Sequence, residues 1–184
     1  MNTTDFILLL QKQSRQLVSM LVPELKSNLG TSHYRRLTDE EMVQRLEMIY
    51  RDLIPWLDSK DESALQNAGE DSGKLRFAEG IPLGQTVLAL ILAEKHLWRY
   101  LRSSAITLEE NARRAVTEFF QKRIYYTSRG YEASLAESNR LARRALEQQK
   151  PAAVAPTPAY TEASKEAESE GEVSRGGQVG EFGG

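Results

Sequence analysis

The chain has no cysteine in its 184 residues. Disulfides, thiol nucleophiles, thiolate zinc sites and iron–sulfur clusters are therefore excluded, and a reducing, cytoplasmic setting is expected. Long apolar runs are also lacking. The longest, Val87-Leu-Ala-Leu-Ile-Leu-Ala93, falls far short of the roughly 20 residues that span a bilayer. Phe6-Ile-Leu-Leu-Leu10 is too short for a leader and follows an acid, Asp5, so no secretion signal is expected. There are only two histidines, His33 and His96, and neither stands a helical turn from a second metal ligand of its own kind. A structural metal site is not expected.

Charge of one sign is lacking too. The whole chain carries −2, but 151–184 holds Glu162, Glu166, Glu168, Glu170, Glu172 and Glu181 against Lys165 and Arg175, leaving that segment at −4 and residues 1–150 at +2. Such a balance gives no electrostatic case for nucleic acid, whose ligands concentrate basic residues on one face. After Lys150 the composition turns to Pro, Ala, Ser, Thr, Glu and Gly. That segment cannot offset an ordering entropy of roughly 1–2 kcal/mol per residue, so 151–184 reads as a disordered acidic tail.

What is present is helical periodicity. Phe6, Leu9, Leu10, Leu17, Met20, Leu21 and Leu25 recur at three- and four-residue steps and predict a helix over 4–28, kinked or split at Pro23, with Gly30 as a left-handed stop. Thr38 and Glu41 have capping-box spacing and open a helix over 39–57. Its inner face is Met42, Leu46, Ile49, Leu53 and Leu57, with Glu41, Arg45 and Arg51 toward solvent and Pro55 near its end. A second box, Ser59 with Glu62, opens a polar helix over 60–78 whose apolar stripe is thin: Leu65, Ala68, Leu75 and Ala78. Gly69 and Gly73 weaken it by roughly 1 kcal/mol each, and this is the segment expected to be mobile.

Gly80-Ile-Pro-Leu83 punctuates the chain, placing Pro82 at the first position of a helix over 82–103. Because Val87–Ala93 is apolar all round, this helix is expected to be the central one. Thr107 with Glu110 gives a third box, opening a helix that continues to about 149 and is interrupted or bent around Thr127–Gly130. Its inner face is Leu108, Ala112, Val116, Phe119 and Ile124. Beyond Gly130, Tyr131, Leu135, Leu141, Ala142, Ala145 and Leu146 predict a segment that docks back or pairs with another chain, so a homodimer is one expectation.

Chemistry is harder to find. His96, beside Glu94, Lys95 and Trp98, invites a haem-ligand or phosphoacceptor reading, but Leu97-Trp98-Arg99 matches no phosphoacceptor motif. We read it as a histidine at the edge of a core or interface. The carboxylate pairs Glu40/Glu41 and Glu109/Glu110 sit just inside helix starts, where they serve capping and the helix dipole. Gly80-Ile-Pro-Leu-Gly84 lacks the lysine of a phosphate loop, and no serine stands in a nucleophile elbow.

Arg113, Arg114, Lys122, Arg123, Arg129, Arg140, Arg143, Arg144 and Lys150 interleave with Phe119, Phe120, Tyr125, Tyr126 and Tyr131. This pattern reads as the coat of a helix whose aromatics are core, with a face for RNA or an acidic partner, or a cover by the acidic tail, as alternatives. Trp56, Trp98 and Tyr100 read as core anchors. No catalytic, cofactor-binding or metal residue is assigned.

Two stretches together carry a family resemblance: Tyr34-Arg-Arg-Leu-Thr-Asp-Glu-Glu41 running on to Trp56-Leu57, and Gly73-Lys-Leu-Arg-Phe-Ala-Glu-Gly-Ile-Pro-Leu83 running on to Leu101. Over roughly residues 10–125 the chain resembles the amino-terminal domain of RsbRD, the RsbT co-antagonist family. The resemblance implies a bacterial helical domain that senses or scaffolds, normally ahead of an output module such as a phosphorylatable STAS domain. It supplies no catalytic residues. Nothing after residue 150 reads as an output module, so the resemblance implies a sensory or adaptor module acting through a separate signalling protein of the STAS, kinase or phosphatase class.

The expected architecture is all-α: a bundle of five or six helices over 1–150, in four-helix-bundle or globin-like packing, plus the disordered C-terminal tail. A structural, self-assembling scaffold is the alternative function. A haem or small-molecule sensor is the third.

Overall fold

In a computed structural model, which describes residues 1–149, the chain is all-α. Five α-helices and one 3-10 segment follow one another: α1 (Thr3–Ser27), the 3-10 segment (Leu29–Arg36), α2 (Asp39–Ser59), α3 (Glu62–Ala78), α4 (Leu83–Ser103) and α5 (Glu110–Gln149). Tail residues 151–184 lie outside the described residues.

Helices α1 and α2 form an antiparallel pair, pinned at the start of α2, where Lys26 pairs with Asp39 and Arg15 with Glu40 at 2.9 Å. Between them Phe6, Leu10, Leu17, Leu21 and Leu25 meet Leu46, Tyr50 and Leu53, all buried. Val18 and Val22 complete the α1 face, and Met20, expected inside, is 55% exposed. Pro23 does not split α1. It removes one backbone hydrogen bond, and the buried side chains Leu21, Val22 and Leu25 around it hold the last turn in register.

Gly30 is not a left-handed stop. α1 ends instead at Asn28 in extended backbone (φ −73°, ψ 127°), whose side chain accepts from the Gly30 N–H at 2.8 Å. A 3-10 segment, not foreseen from the pattern, then packs across α1 and α4. The Thr38/Glu41 box forms as expected, with Glu41 N donating to Thr38 Oγ1 and Thr38 N donating to Glu41 Oε2. Ser59 and Glu62 do not form one. Ser59 belongs to α2, donating to the Pro55 carbonyl at 3.0 Å, and Asp61 caps α3 by accepting from Ala64 N.

The buried line of α3 is rotated from the expected one. Leu75 is half exposed and Ala78 is exposed, and the inner residues are Leu65, Gly69, Gly73 and Arg76. The two glycines lie against α5. A Cβ on Gly69 would stand 2.5 Å from Tyr126 Cβ, and one on Gly73 2.0 Å from the Thr127 carbonyl oxygen. Gly130 answers from the other side, where a Cβ would stand 2.0 Å from the Glu70 carbonyl oxygen. Phe77 and Tyr131 close the crossing edge-to-face, ring centroids 5.4 Å apart.

Helix α4 is preceded by Gly80 at φ +68° and by Pro82, which caps the helix from just outside it. Its inner face, Thr86, Ala89, Leu90, Ala93, His96, Leu97 and Leu101, is buried, but Ile91 is 44% exposed. Helix α4 is therefore not enclosed on every side; one of its faces reaches the surface.

Helix α5 runs 40 residues without interruption. No Thr107/Glu110 box is present; Met1 instead docks on the preceding loop, its amine donating to the Thr107 carbonyl at 2.7 Å and its carbonyl accepting from Glu109 N at 3.0 Å. From Ala112 to Gly130 its inner side is buried, with Val116, Phe119 and Phe120 fully enclosed and Ile124 only half-buried. From Glu132 onward almost every residue is exposed.

Gly73→Ala tests the crossing. Helix propensity alone would favour alanine by about 1 kcal/mol. Because the new methyl meets backbone on α5, which cannot rotate away, we expect net destabilisation of about 2 kcal/mol by urea titration. A neutral or stabilising result would mean that the two helices do not approach this closely.

Candidate functional site

The buried polar groups lie mainly where helices meet. His96 lies on the inner side of α4 facing α1, 5% exposed. Its Nδ1 stands 3.9 Å from Glu24 Oε2, and neither ring nitrogen has a hydrogen-bond partner. Burial lowers its pKa, and the Arg99 guanidinium adds to this; the Glu24 carboxylate and the Leu17 carbonyl act in the opposite direction. No group of three His, Asp or Glu side chains among the described residues is arranged to hold a metal ion.

Arg123, expected in the basic coat of α5, is instead 2% exposed. Its Nη1 donates to Asp52 Oδ2 of α2 at 2.6 Å. Burial raises the Asp52 pKa against the opposing pull of Arg123, and lowers that of Arg123. One turn on, Thr127 is also buried, and Arg123 Nε and Thr127 Oγ1 are both without partners. Sequence spacing carried the signal: Arg123 falls at helical steps from Phe119, Phe120 and Thr127, all inner residues.

Arg45, placed toward solvent by its pattern, is also drawn inward. It pairs with Glu79 at 2.6 Å, and Arg76 reaches the same carboxylate oxygen at 2.9 Å. Tyr34 packs above them, its pKa raised chiefly by burial. His33 and Gln85 complete a clasp between the 3-10 segment and α4, with His33 N donating to Gln85 Oε1 at 2.9 Å. The carboxylate pairs serve structure: Glu41 caps α2, Glu40 holds Arg15, and Glu110 holds Arg114 at 3.0 Å.

The basic and aromatic residues of α5 do not gather into one face. Phe119 and Phe120 are core, Tyr126 is 7% exposed, and Lys122 and Arg129 pair with Glu62 and Glu70 of α3. Tyr125 alone of the five is well exposed, with the Arg129 guanidinium 5.8 Å from its ring centroid. That leaves no aromatic platform for stacked bases. Trp56 is a core anchor as expected, donating from Nε1 to the Ala115 carbonyl at 2.9 Å.

Trp98 differs. It is only partly buried, on the α4 face that the bundle leaves open, where Ile91, Lys95, Trp98 and Arg102 follow one another at steps of four, three and four residues. Two hollows meet there. One, of about 760 Å³, lies at the α4–α5 connection over Trp98, Leu101, Ile106 and Leu108, lined also by Arg102 and by Arg113 and Arg114, both paired with Glu110. The other, of about 400 Å³, runs along Ile91, Lys95, Trp98 and Arg99. Both hollows combine apolar and charged lining, with Glu94 in the second and Arg99 paired with Glu24.

No protein-family model, curated protein or solved structure matches the chain.

Two measurements test these assignments. Removing the Asp52 carboxylate leaves Arg123 buried without its counter-charge, so Asp52→Ala is expected to cost about 3–5 kcal/mol. For His96 the folded pKa lies below the ordinary 6.5, so the unfolded chain takes up the proton first. Stability is then complete above about pH 6.5 and is lost as the pH falls below it. The melting temperature is expected to fall as the pH is lowered through about 6.5, and His96→Leu to flatten that fall. An unchanged slope in the variant would remove His96 from the account.

Proposed function

We propose that the helical body is a non-enzymatic signalling module, a sensory or adaptor domain that acts through a separate partner protein. The observation that carries this reading is the open face of α4. Trp98 and Arg102 are of the residue types that concentrate binding energy at protein interfaces, and they border an apolar hollow of about 760 Å³. The buried Arg123 and Tyr50 are used in helix-to-helix contacts, which directs attention to the surface.

Resemblance to the amino-terminal domain of the RsbT co-antagonist family supports the same reading and points to the partner's class. That partner is a cytoplasmic STAS protein, kinase or phosphatase whose contacting element is amphipathic. A second reading, a self-assembling scaffold, is favoured by one feature only: the exposed half of α5, where Leu135, Leu141 and Leu146 are 43%, 54% and 68% exposed.

The test is affinity capture from a lysate of the source cells, with the intact chain and its Trp98→Ala and Arg102→Glu variants as baits. We expect a STAS protein, kinase or phosphatase to be retained by the intact chain and to bind Trp98→Ala about 30-fold more weakly, the effect of losing a hot spot of about 2 kcal/mol. Equal capture by all three baits, or capture of no signalling protein, would contradict the proposal.

A further inference from the structure

The distal half of α5 has no packing partner among the described residues. From Glu132 to Gln149 the helix projects by about 26 Å at 1.5 Å per residue. A free helix of this length is marginal in water, because its nucleation cost is not repaid by tertiary contacts. Yet it is not polar all round. Tyr131, Leu135, Ser138, Ala142, Ala145 and Leu146 share one side, with Ser134 and Leu141 beside them.

That side continues the inner face of the same helix. Arg123, Thr127 and Gly130, all buried in the bundle, lead on to Ser134, Ser138, Leu141 and Ala145 at steps of three and four residues. A second α5 lying parallel and in register would extend back into the volume that α2 and α3 fill. An antiparallel copy would not, because its own bundle sits beyond the far end. The fit of side chains agrees. About a two-fold axis beside Ser138, Leu135 of one copy meets Ser138 and Ala142 of the other, and Tyr131 meets Ala142 and Ala145, so bulky residues face small ones.

Charge agrees as well. The same register brings Glu132 of each copy level with Arg143 of the other, on the same flank of the pair. Neither residue makes an ion pair among the described residues, whereas Glu137 and Arg140 already hold each other at 2.6 Å. Over 132–149 three glutamates (Glu132, Glu137, Glu147) balance three arginines (Arg140, Arg143, Arg144). This segment therefore exerts no net pull on the −4 tail, which makes the tail a poor alternative cover.

We infer that residues 131–149 pair antiparallel with the same segment of a second copy of this chain, about an axis beside Ser138, with two Glu132–Arg143 ion pairs across the interface. The inference is independent of the α4 face proposed for a heterologous partner. Both surfaces can be occupied at once.

Because the chain has no cysteine, Ser138→Cys introduces a single thiol. In the full-length protein it is expected to form an intermolecular disulfide under mild oxidation, whereas Arg140→Cys, on the outer side of the helix, is not. Sedimentation equilibrium on the full-length chain should show a dimer. Glu132→Arg and Arg143→Glu should each weaken it by about tenfold, and the double swap should restore it.

All these positions are exposed, so circular dichroism of each variant should report an intact bundle. A chain that stays monomeric at tens of micromolar and does not cross-link through Ser138→Cys would overturn the inference. So would a dimer in which the two charge reversals fail to rescue each other, the outcome expected of a parallel pair.

Discussion

The fold depends on the close approach of α3 to α5. Three positions without a Cβ, Gly69, Gly73 and Gly130, let the two backbones meet where any side chain would collide with a carbonyl or with Tyr126 Cβ. Once they touch, other contacts come within reach: Lys122 and Tyr126 on Glu62, Arg129 near Glu70, Phe77 on Tyr131. The crossing also fixes the azimuth of α5. With Gly130 turned toward α3, Arg123 is turned toward Asp52, and Trp56 of α2 reaches the Ala115 carbonyl. Burying an arginine is costly, and here that cost is met by a short charge-assisted bond and by van der Waals contact along the rest of the helix.

That azimuth has a functional consequence. The inner line of α5 does not stop where the bundle stops, so one rigid rod carries the packing of the core into a segment that faces no part of the bundle. Helix α4 is used in a comparable way. Its inner face is core, and its outer face presents Ile91, Lys95, Trp98 and Arg102. Each of these helices has a structural side and an open side. Buried polar groups such as Arg123 lie in the contacts between helices, and the open sides carry the surfaces proposed above for other molecules.

The helices themselves were legible in the sequence because their apolar residues recur at three- and four-residue steps, and because Thr38 and Glu41 mark a start that no tertiary contact overrides. What could not be read was context. Gly69 and Gly73 score as defects when propensity is considered alone, and only the neighbouring helix turns them into contacts. The box spacing at Ser59 and Thr107 misleads, because it also occurs where Asp61 or Met1 already serves the helix start. The sequence points Arg45 and Arg123 toward solvent, but each has a carboxylate across the helix contact, Glu79 and Asp52. The open face of α4 was missed for the opposite reason: an apolar run from Val87 to Ala93 reads as enclosed, and exposure of Ile91 depends on how few helices surround α4.

Amide hydrogen exchange along α5, read by mass spectrometry at several protein concentrations, tests most directly the claim that this helix is half core and half interface. The account predicts strong protection from Ala112 to Tyr131 at every concentration, and protection over 132–149 that rises as the protein is concentrated. Protection of 132–149 that is absent throughout, or present and independent of concentration, would contradict it.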